Sequence, residues 1–208
     1  MWAKQYPKQL QNILNNVEQQ IQPQIRHIET IALMNQKKVL DAFKKHQISE
    51  SSFAQSTGYG YNDTGREQLE KVYASVFGGE DALVRPQLIS GTHAIATALY
   101  ALLSPGEELI YATGTPYDTL LDIIGIQGNQ KNSLINQGIF YQEVPLKNHQ
   151  EIDIDSLIHQ ISKKTKVVAF QRSCGYTSRP AFSIDTLQTV IQHVKQQFPH
   201  VIIFVDNC

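Results

Sequence analysis

The chain has 208 residues, 18 Lys and Arg against 19 Asp and Glu, and a formal net charge of −1; the length allows one large domain or a domain with an arm. With 41% hydrophobic and 18% charged residues it has an ordinary globular composition, and its near neutrality gives no electrostatic reason to expect nucleic acid or an anionic membrane. No apolar run approaches the ~20 residues of a membrane span, no signal-type apolar core follows Met1-Trp2-Ala3-Lys4, and the two cysteines, Cys174 and Cys208, match neither a disulfide framework nor zinc-ligand spacing. The expectation is a cytoplasmic protein without a metal site.

Residues 4–47 are polar, rich in Gln and helix-forming, with Ile25, Ile28, Ile31, Ala32 and Leu40 at helical spacing. Pro23 is expected to start a new helix or to kink this arm. An amphipathic arm packs across another surface, either a second subunit or its own domain. The organisation predicted is a helical arm over residues 1–52 and an α/β domain over residues 53–208.

Next comes Thr57-Gly58-Tyr59-Gly60-Tyr61-Asn62-Asp63-Thr64-Gly65-Arg66. The glycines, Asn and Asp mark a loop, and a helix restarts at Glu67. Its tyrosines and Arg66 suit the gripping of a ligand, or they simply line a helix-entry loop.

An extended run over residues 83–89, broken by Pro86, leads into Ser90-Gly91-Thr92 and an uninterrupted helical pattern. A small polar turn at a helix start leaves N–H groups pointing outward at the positive end of the dipole, a place suited to phosphate or another anion. Ser90 or Thr92 as a plain helix cap is the alternative. Beyond it, strands are predicted at 108–112, 139–145, 166–171 and 201–205, and helices at 117–125, 154–162 and 184–197. Such alternation argues for βαβ units and a mostly parallel sheet with ligands at the carboxyl ends of its strands. Ser90, Thr115, Arg172 and Asp206 all fall at or just past strand ends. Residues 201–205 are continuously apolar, as in a central strand, and end in Asp206-Asn207. A carboxylate there calls for a cation such as a protonated heteroaromatic nitrogen, or it merely terminates the strand and caps a helix.

Ser90-Gly91-Thr92, the aromatic of Thr115-Pro116-Tyr117-Asp118, and Val205-Asp206-Asn207 together resemble the fold-type I pyridoxal-phosphate enzymes, in particular the Cys/Met-metabolism branch with its cystathionine lyases and methionine gamma-lyase. The 57–66 loop, Leu83-Val84-Arg85-Pro86-Gln87 before Ser90-Gly91-Thr92-His93-Ala94, and Gln171-Arg172-Ser173 are similar to the aluminium resistance protein family, described as methionine gamma-lyase-like. The resemblance covers the chain from about Phe53 onward. It implies the fold-type I large domain, a mostly parallel sheet with helices on both faces. It also implies pyridoxal 5'-phosphate as cofactor, with its phosphate on Gly91 and Thr92 near Ser90. Tyr117 would stack on the ring, Asp206 would pair with the pyridine nitrogen, and Ser173 would face the ring hydroxyl. Tyr61 and Arg66 stand where related enzymes reach into a neighbouring subunit's phosphate site, at a longer spacing than their Tyr-x-Arg. A homodimer or homotetramer with shared active sites follows. Cys174 stands where the family has a basic residue.

In the family a serine-rich segment carries the Schiff-base lysine, and the resemblance places it beyond Cys208. Lys131, Lys147, Lys163, Lys164, Lys166 and Lys195 lie in helices or polar turns instead. The chain therefore reads as the N-terminal part of a longer carbon–sulfur lyase acting on a sulfur-containing amino acid by proton abstraction and thiol elimination, inactive by itself. A Rossmann-like nucleotide-binding protein, which would lack its G-x-G-x-x-G turn, and a non-catalytic cofactor-binding or oligomer-forming remnant are the other readings.

Overall fold

The computed structural model describes residues 2–61, 63–128 and 130–207, so Asn62 and Cys208, quoted above, lie outside the described residues. The chain forms two compact units, residues 1–87 and 88–208.

In the first unit, α1 spans Lys8–Lys45, 38 residues, and runs through Pro23 as one helix. The expected new helix start at Pro23 is absent. Proline removes one donor from the ladder, a small loss in so long an element. Near its end α1 meets α2 (Thr64–Phe77). Ala42 and Val72 are buried there, His46 Nε2 lies 2.7 Å from Ser75 Oγ, and Gln68 Nε2 donates to His46 O. A Cβ on Gly65 would stand 2.2 Å from Ser52 O, so only glycine lets α2 start this close to the turn Glu50–Phe53. Ile28, Ile31 and Leu40 of the predicted stripe remain exposed.

The predicted extended run at 83–89 is not a strand. Its segment is held by α2 instead: Glu70 Oε1 accepts from Val84 N (3.0 Å), Glu70 Oε2 lies 2.9 Å from Arg85 Nη2, and Pro86 and Gln87 form a turn. Ser90 therefore follows a turn, not a strand end.

The second unit opens with α3 (Gly91–Leu102) and continues with β1 (Glu108–Tyr111), α4 (Asp118–Ile124), β2 (Phe140–Glu143), α5 (Ile154–Gln160), β3 (Thr165–Gln171), α6 (Ile184–Gln197) and β4 (Ile202–Asp206). The strands pair in the order β2-β1-β3-β4, every pair parallel. Alternate side chains of β1 and β3 go to opposite faces. Ile110, Val168 and Phe170 meet Leu157, Leu187, Val190 and Val194 of α5 and α6, while Leu109, Tyr111, Val167 and Ala169 meet Leu99, Leu120 and Ile124 of α3 and α4. Helices thus cover both faces, the predicted α/β arrangement. Within this segment β4 is the outermost of the four described strands, paired with β3, and Val205 is 38% exposed.

Tyr111 is fully buried and its hydroxyl has no hydrogen-bond partner among the described residues. Burial, and secondarily the charge of Asp206, hold its ionisation above the ordinary value of 10.0. Tyr141 is raised too, first by burial and then by its hydrogen bond to Glu143 Oε2 (2.7 Å). A phenol raised in the folded state contributes stability that is complete below the unfolded value and lost as pH climbs above it. Tyr111→Phe is therefore expected to leave stability at neutral pH unchanged or higher by up to about 1 kcal/mol, since it removes an unsatisfied hydroxyl. The variant should also lose less stability than the parent above pH 10.0 in urea unfolding. An identical alkaline loss in the two proteins would contradict this account.

Candidate functional site

Ser90 is the N-cap of α3: its hydroxyl accepts from His93 N (3.1 Å) and its carbonyl from Ala94 N (3.0 Å). The amides of Gly91 and Thr92 are left without an acceptor among the described residues. The position of a Cβ on Gly91 meets no atom within 4 Å. The cap reading thus holds for Ser90. Ser90 caps, and the next two N–H groups stay available at the positive end of a 12-residue helix.

These groups open into a cavity of about 490 Å³ within the second unit, and Gly91, Thr92, Tyr117, Ser173 and Asp206 line it together. Five of the eight residues that the resemblance assigns to the cofactor therefore line one cavity. Tyr117 immediately precedes α4 and packs on the α3–α4 side of the core. Asp206 closes β4 on the face that Ile202 and Phe204 present to the same core, and its carbonyl accepts from Arg172 N (2.9 Å). Among the described lining residues Asp206 alone carries a charge. The cavity is therefore dipolar, with free N–H groups and a helix N-terminus on one wall and a carboxylate on another. It suits a planar ligand with an anionic group at one end and a cationic ring atom at the other.

Three lining residues were not foreseen. Thr119 Oγ1 lies 2.6 Å from Thr92 Oγ1 and ties the starts of α4 and α3 together. Tyr176 places its ring 5.7 Å from that of Tyr117 at 31°, and Cys174, to which no role was assigned, also faces the cavity. The available signal was the Ser-Cys-Gly-Tyr loop directly after a predicted strand, where parallel sheets keep their ligands.

Other predicted residues lie elsewhere. Thr115 donates to Glu143 Oε1 (3.0 Å) and lines a different, polar cleft. Arg172 braces the rim, with Nε on Phe182 O (3.2 Å) and Nη1 on Asn207 Oδ1 (2.9 Å). Tyr61 and Arg66 belong to the first unit. Tyr61 is exposed, and Arg66 Nε stands 3.0 Å from Asp63 Oδ2 with Nη1 near Gly58 O. No lysine of the described residues lines the cavity. Lys147 faces Asp153 and Asp155, Lys164 lies over the Phe140 ring, Lys166 pairs with Glu107, and Lys195 donates to Pro199 O and Val201 O. Groups of His, Cys, Asp and Glu able to hold a metal are absent among the described residues, and no described helix is long and apolar enough to cross a membrane.

A parallel sheet covered on both faces, with a helix start, an aromatic and a carboxylate meeting in one cavity past the carboxyl ends of its strands, defines the class as a doubly covered parallel α/β domain. The chain belongs to the methionine gamma-lyase family, whose profile matches residues 10–208. It is 49% identical over 184 residues to the Bacillus subtilis protein YnbB, which covers 88% of this chain and 44% of that protein. The crystal structure of a carbon-sulfur lyase involved in aluminium resistance from Clostridium novyi superposes with a TM-score of 0.90 at 38% identity, covering 100% of this chain and 50% of the other. A Listeria innocua protein, provisionally assigned as a cystathionine beta-lyase involved in aluminium resistance, gives a TM-score of 0.92 at 50% identity, over 96% of this chain and 49% of that one. The chain thus spans about half the length of these relatives.

If Ser90 acts as a cap and the two following amides are the ligand-facing groups, Ser90→Ala should cost about 1 kcal/mol in urea unfolding. Loss of the cap should leave the fold intact by circular dichroism. A variant as stable as the parent would remove the cap.

Proposed function

We propose that a protein of the relatives' full length carrying this segment is a pyridoxal-phosphate-dependent carbon–sulfur lyase acting on a sulfur-containing amino acid. The observation that carries this reading is the meeting of two unacceptored amides, an aromatic ring and a carboxylate in one cavity of a methionine gamma-lyase family member. Pyridoxal phosphate supplies an electron sink for the pair left on the substrate's α-carbon when its proton is removed. In this reading the Gly91 and Thr92 amides hold the phosphate, helped by the dipole of α3, and the Tyr117 ring supports the pyridine face. Asp206 keeps a proton on the ring nitrogen, and the Ser173 hydroxyl faces the ring hydroxyl. Elimination of a thiol follows removal of the α-proton.

The amine that holds such a cofactor covalently belongs, in this reading, to sequence outside this segment. The reading includes a cytoplasmic homodimer or homotetramer with shared sites, supported by the exposed apolar positions Ile28, Ile31 and Leu40 of α1. Tyr61 and Arg66 are its proposed contribution to a neighbouring subunit's phosphate site. Arg66 must then exchange its Asp63 contact for the phosphate.

Asp206→Asn keeps the shape of the strand end and removes the charge. In the full-length protein it is expected to retain bound cofactor and to lose turnover by on the order of a hundredfold, followed as release of thiol and 2-oxo acid from a panel of sulfur amino acids. Parent-like turnover would make Asp206 a strand terminator, and unfolding would make it structural. For the 208-residue chain itself, borohydride reduction in the presence of pyridoxal phosphate followed by peptide mapping should find no stoichiometric pyridoxyl-lysine. One lysine labelled to completion would show that the site has been misread.

A further inference from the structure

The segment between β3 and α6 brings Ser173 and Tyr176 to the cavity, yet Gly175, Tyr176, Thr177 and Ser178 are exposed and receive little support from the core. Its local hydrogen bonds are sparse: Thr177 donates to Cys174 O through both its amide (3.1 Å) and its hydroxyl (2.7 Å), and Gln171 Nε2 donates to Ser173 O (3.1 Å). The remaining restraint is Arg179. Its Nη2 donates to Gln171 O (3.0 Å) and to Ser173 O, its Nη1 donates to Pro180 O (3.1 Å), and its guanidinium carbon stands 4.7 Å from the centre of the Phe182 ring. Phe182 is itself 5% exposed and belongs to the core, and its amide donates to Arg172 O (3.0 Å).

Arg179 makes no ion pair with a carboxylate of the described residues. Partial burial depresses its pKa, and the negative ends of three backbone carbonyls compensate its charge. A surface arginine serving solubility would point into water. This one spends its planar fork on the carbonyls at both feet of a loop, a geometry that a single ammonium does not reproduce.

We infer that Arg179 is a positioning residue for the cavity, a clamp from the core that fixes the loop carrying Ser173 and Tyr176 at the height of Tyr117 and Asp206. Its contact with the site is indirect. From Phe182 the restraint passes through the guanidinium to the Gln171 and Ser173 carbonyls, and from there to the Tyr176 ring beside Tyr117. Gly175 contributes a second constraint, because a Cβ there would come within 3.2 Å of Tyr117 Cδ2 and 3.3 Å of Gln171 Nε2. The loop therefore has one close-packed path over the end of β3, and Arg179 holds it on that path. This inference adds to the cofactor reading above, and its ligand arm rests on that reading.

The test compares the parent with Arg179→Lys and Arg179→Met by nuclear magnetic resonance without ligand, and then, in the full-length protein, by titration with pyridoxal phosphate. A clamp predicts that both variants stay folded, that the ring-to-ring contact signal between Tyr117 and Tyr176 fades, and that the amide signals of residues 173–177 broaden. It also predicts that pyridoxal phosphate binds about tenfold more weakly, the order of loss expected when positioning slackens. Lysine keeps the charge, so failure of Arg179→Lys to restore the contact signal separates the fork from the charge. Unchanged loop signals in Arg179→Met would overturn the inference. Altered loop signals with parent-like affinity would also overturn it, reducing Arg179 to a brace for an exposed turn, and so would unfolding of both variants. A full-length parent protein that does not bind pyridoxal phosphate would instead count against the cofactor reading, and the loop signals alone would then decide the clamp.

Discussion

β1 and β3 run side by side and parallel, with Leu109 opposite Val167, Ile110 opposite Val168 and Tyr111 opposite Ala169, and none of these residues has access to water. Two strands so paired have no face to spare for solvent, and each needs a helix layer on either side. Leu99, Leu120 and Ile124 supply one layer, and Leu187, Val190 and Val194 the other. Parallel direction then sends every strand's outgoing loop to the same end of the sheet. Tyr117, Ser173 and Asp206 follow or close three different strands, yet they meet in one cavity. The packing of Leu99 against that core sets α3 so that Gly91 and Thr92 arrive at the same place. Burial alone accounts for most of the convergence.

Chemistry at the cavity follows from what burial leaves over. Ser90 satisfies one amide of the α3 start and leaves the next two without an acceptor, so the positive end of the helix is not neutralised by its own cap. Asp206 sits where its charge reaches as far as the Tyr111 phenol. A ligand with a negative group at one end and a protonated ring atom at the other matches the two walls in sign.

How much of this was legible in the sequence depended on whether the signal was local. Period and turn chemistry are local, and the helix predicted over residues 184–197 matches α6 as Ile184–Gln197. The strands at 108–112 and 166–171 were placed to within one residue of β1 and β3. The position of a strand within the sheet is not local. Residues 201–205 were read as a strand and form β4, but five apolar residues do not by themselves specify which strands lie beside them. Residues 83–89 carried β-type residues, but Glu70, far upstream, captures Val84 and Arg85 and holds the segment out of any ladder. Of the residues lining the cavity, Gly91, Thr92 and Asp206 were legible from a turn or strand end with a distinctive group, and Tyr117 and Ser173 from the family resemblance. Tyr176 and Arg179 were not, since their importance arises from a loop path that only the folded backbone defines.

The order of the strands carries a consequence for how the second unit is put together. β1 reaches β2 across the stretch from Tyr111 to Phe140, and β3 reaches β4 across that from Gln171 to Ile202, whereas β1 reaches β3 only across the stretch from Tyr111 to Thr165, nearly twice as long. Loop closure costs slightly more for the β1–β3 pairing than for the other two, by about 0.6 kcal/mol per doubling of the loop. Gly91, Thr92 and Tyr117 lie on the first half in sequence, and Ser173, Tyr176 and Asp206 on the second. The cavity therefore draws its walls from two stretches of sequence joined along the β1–β3 pairing, and a molecule held from both walls bridges them and stabilises the folded sheet by mass action.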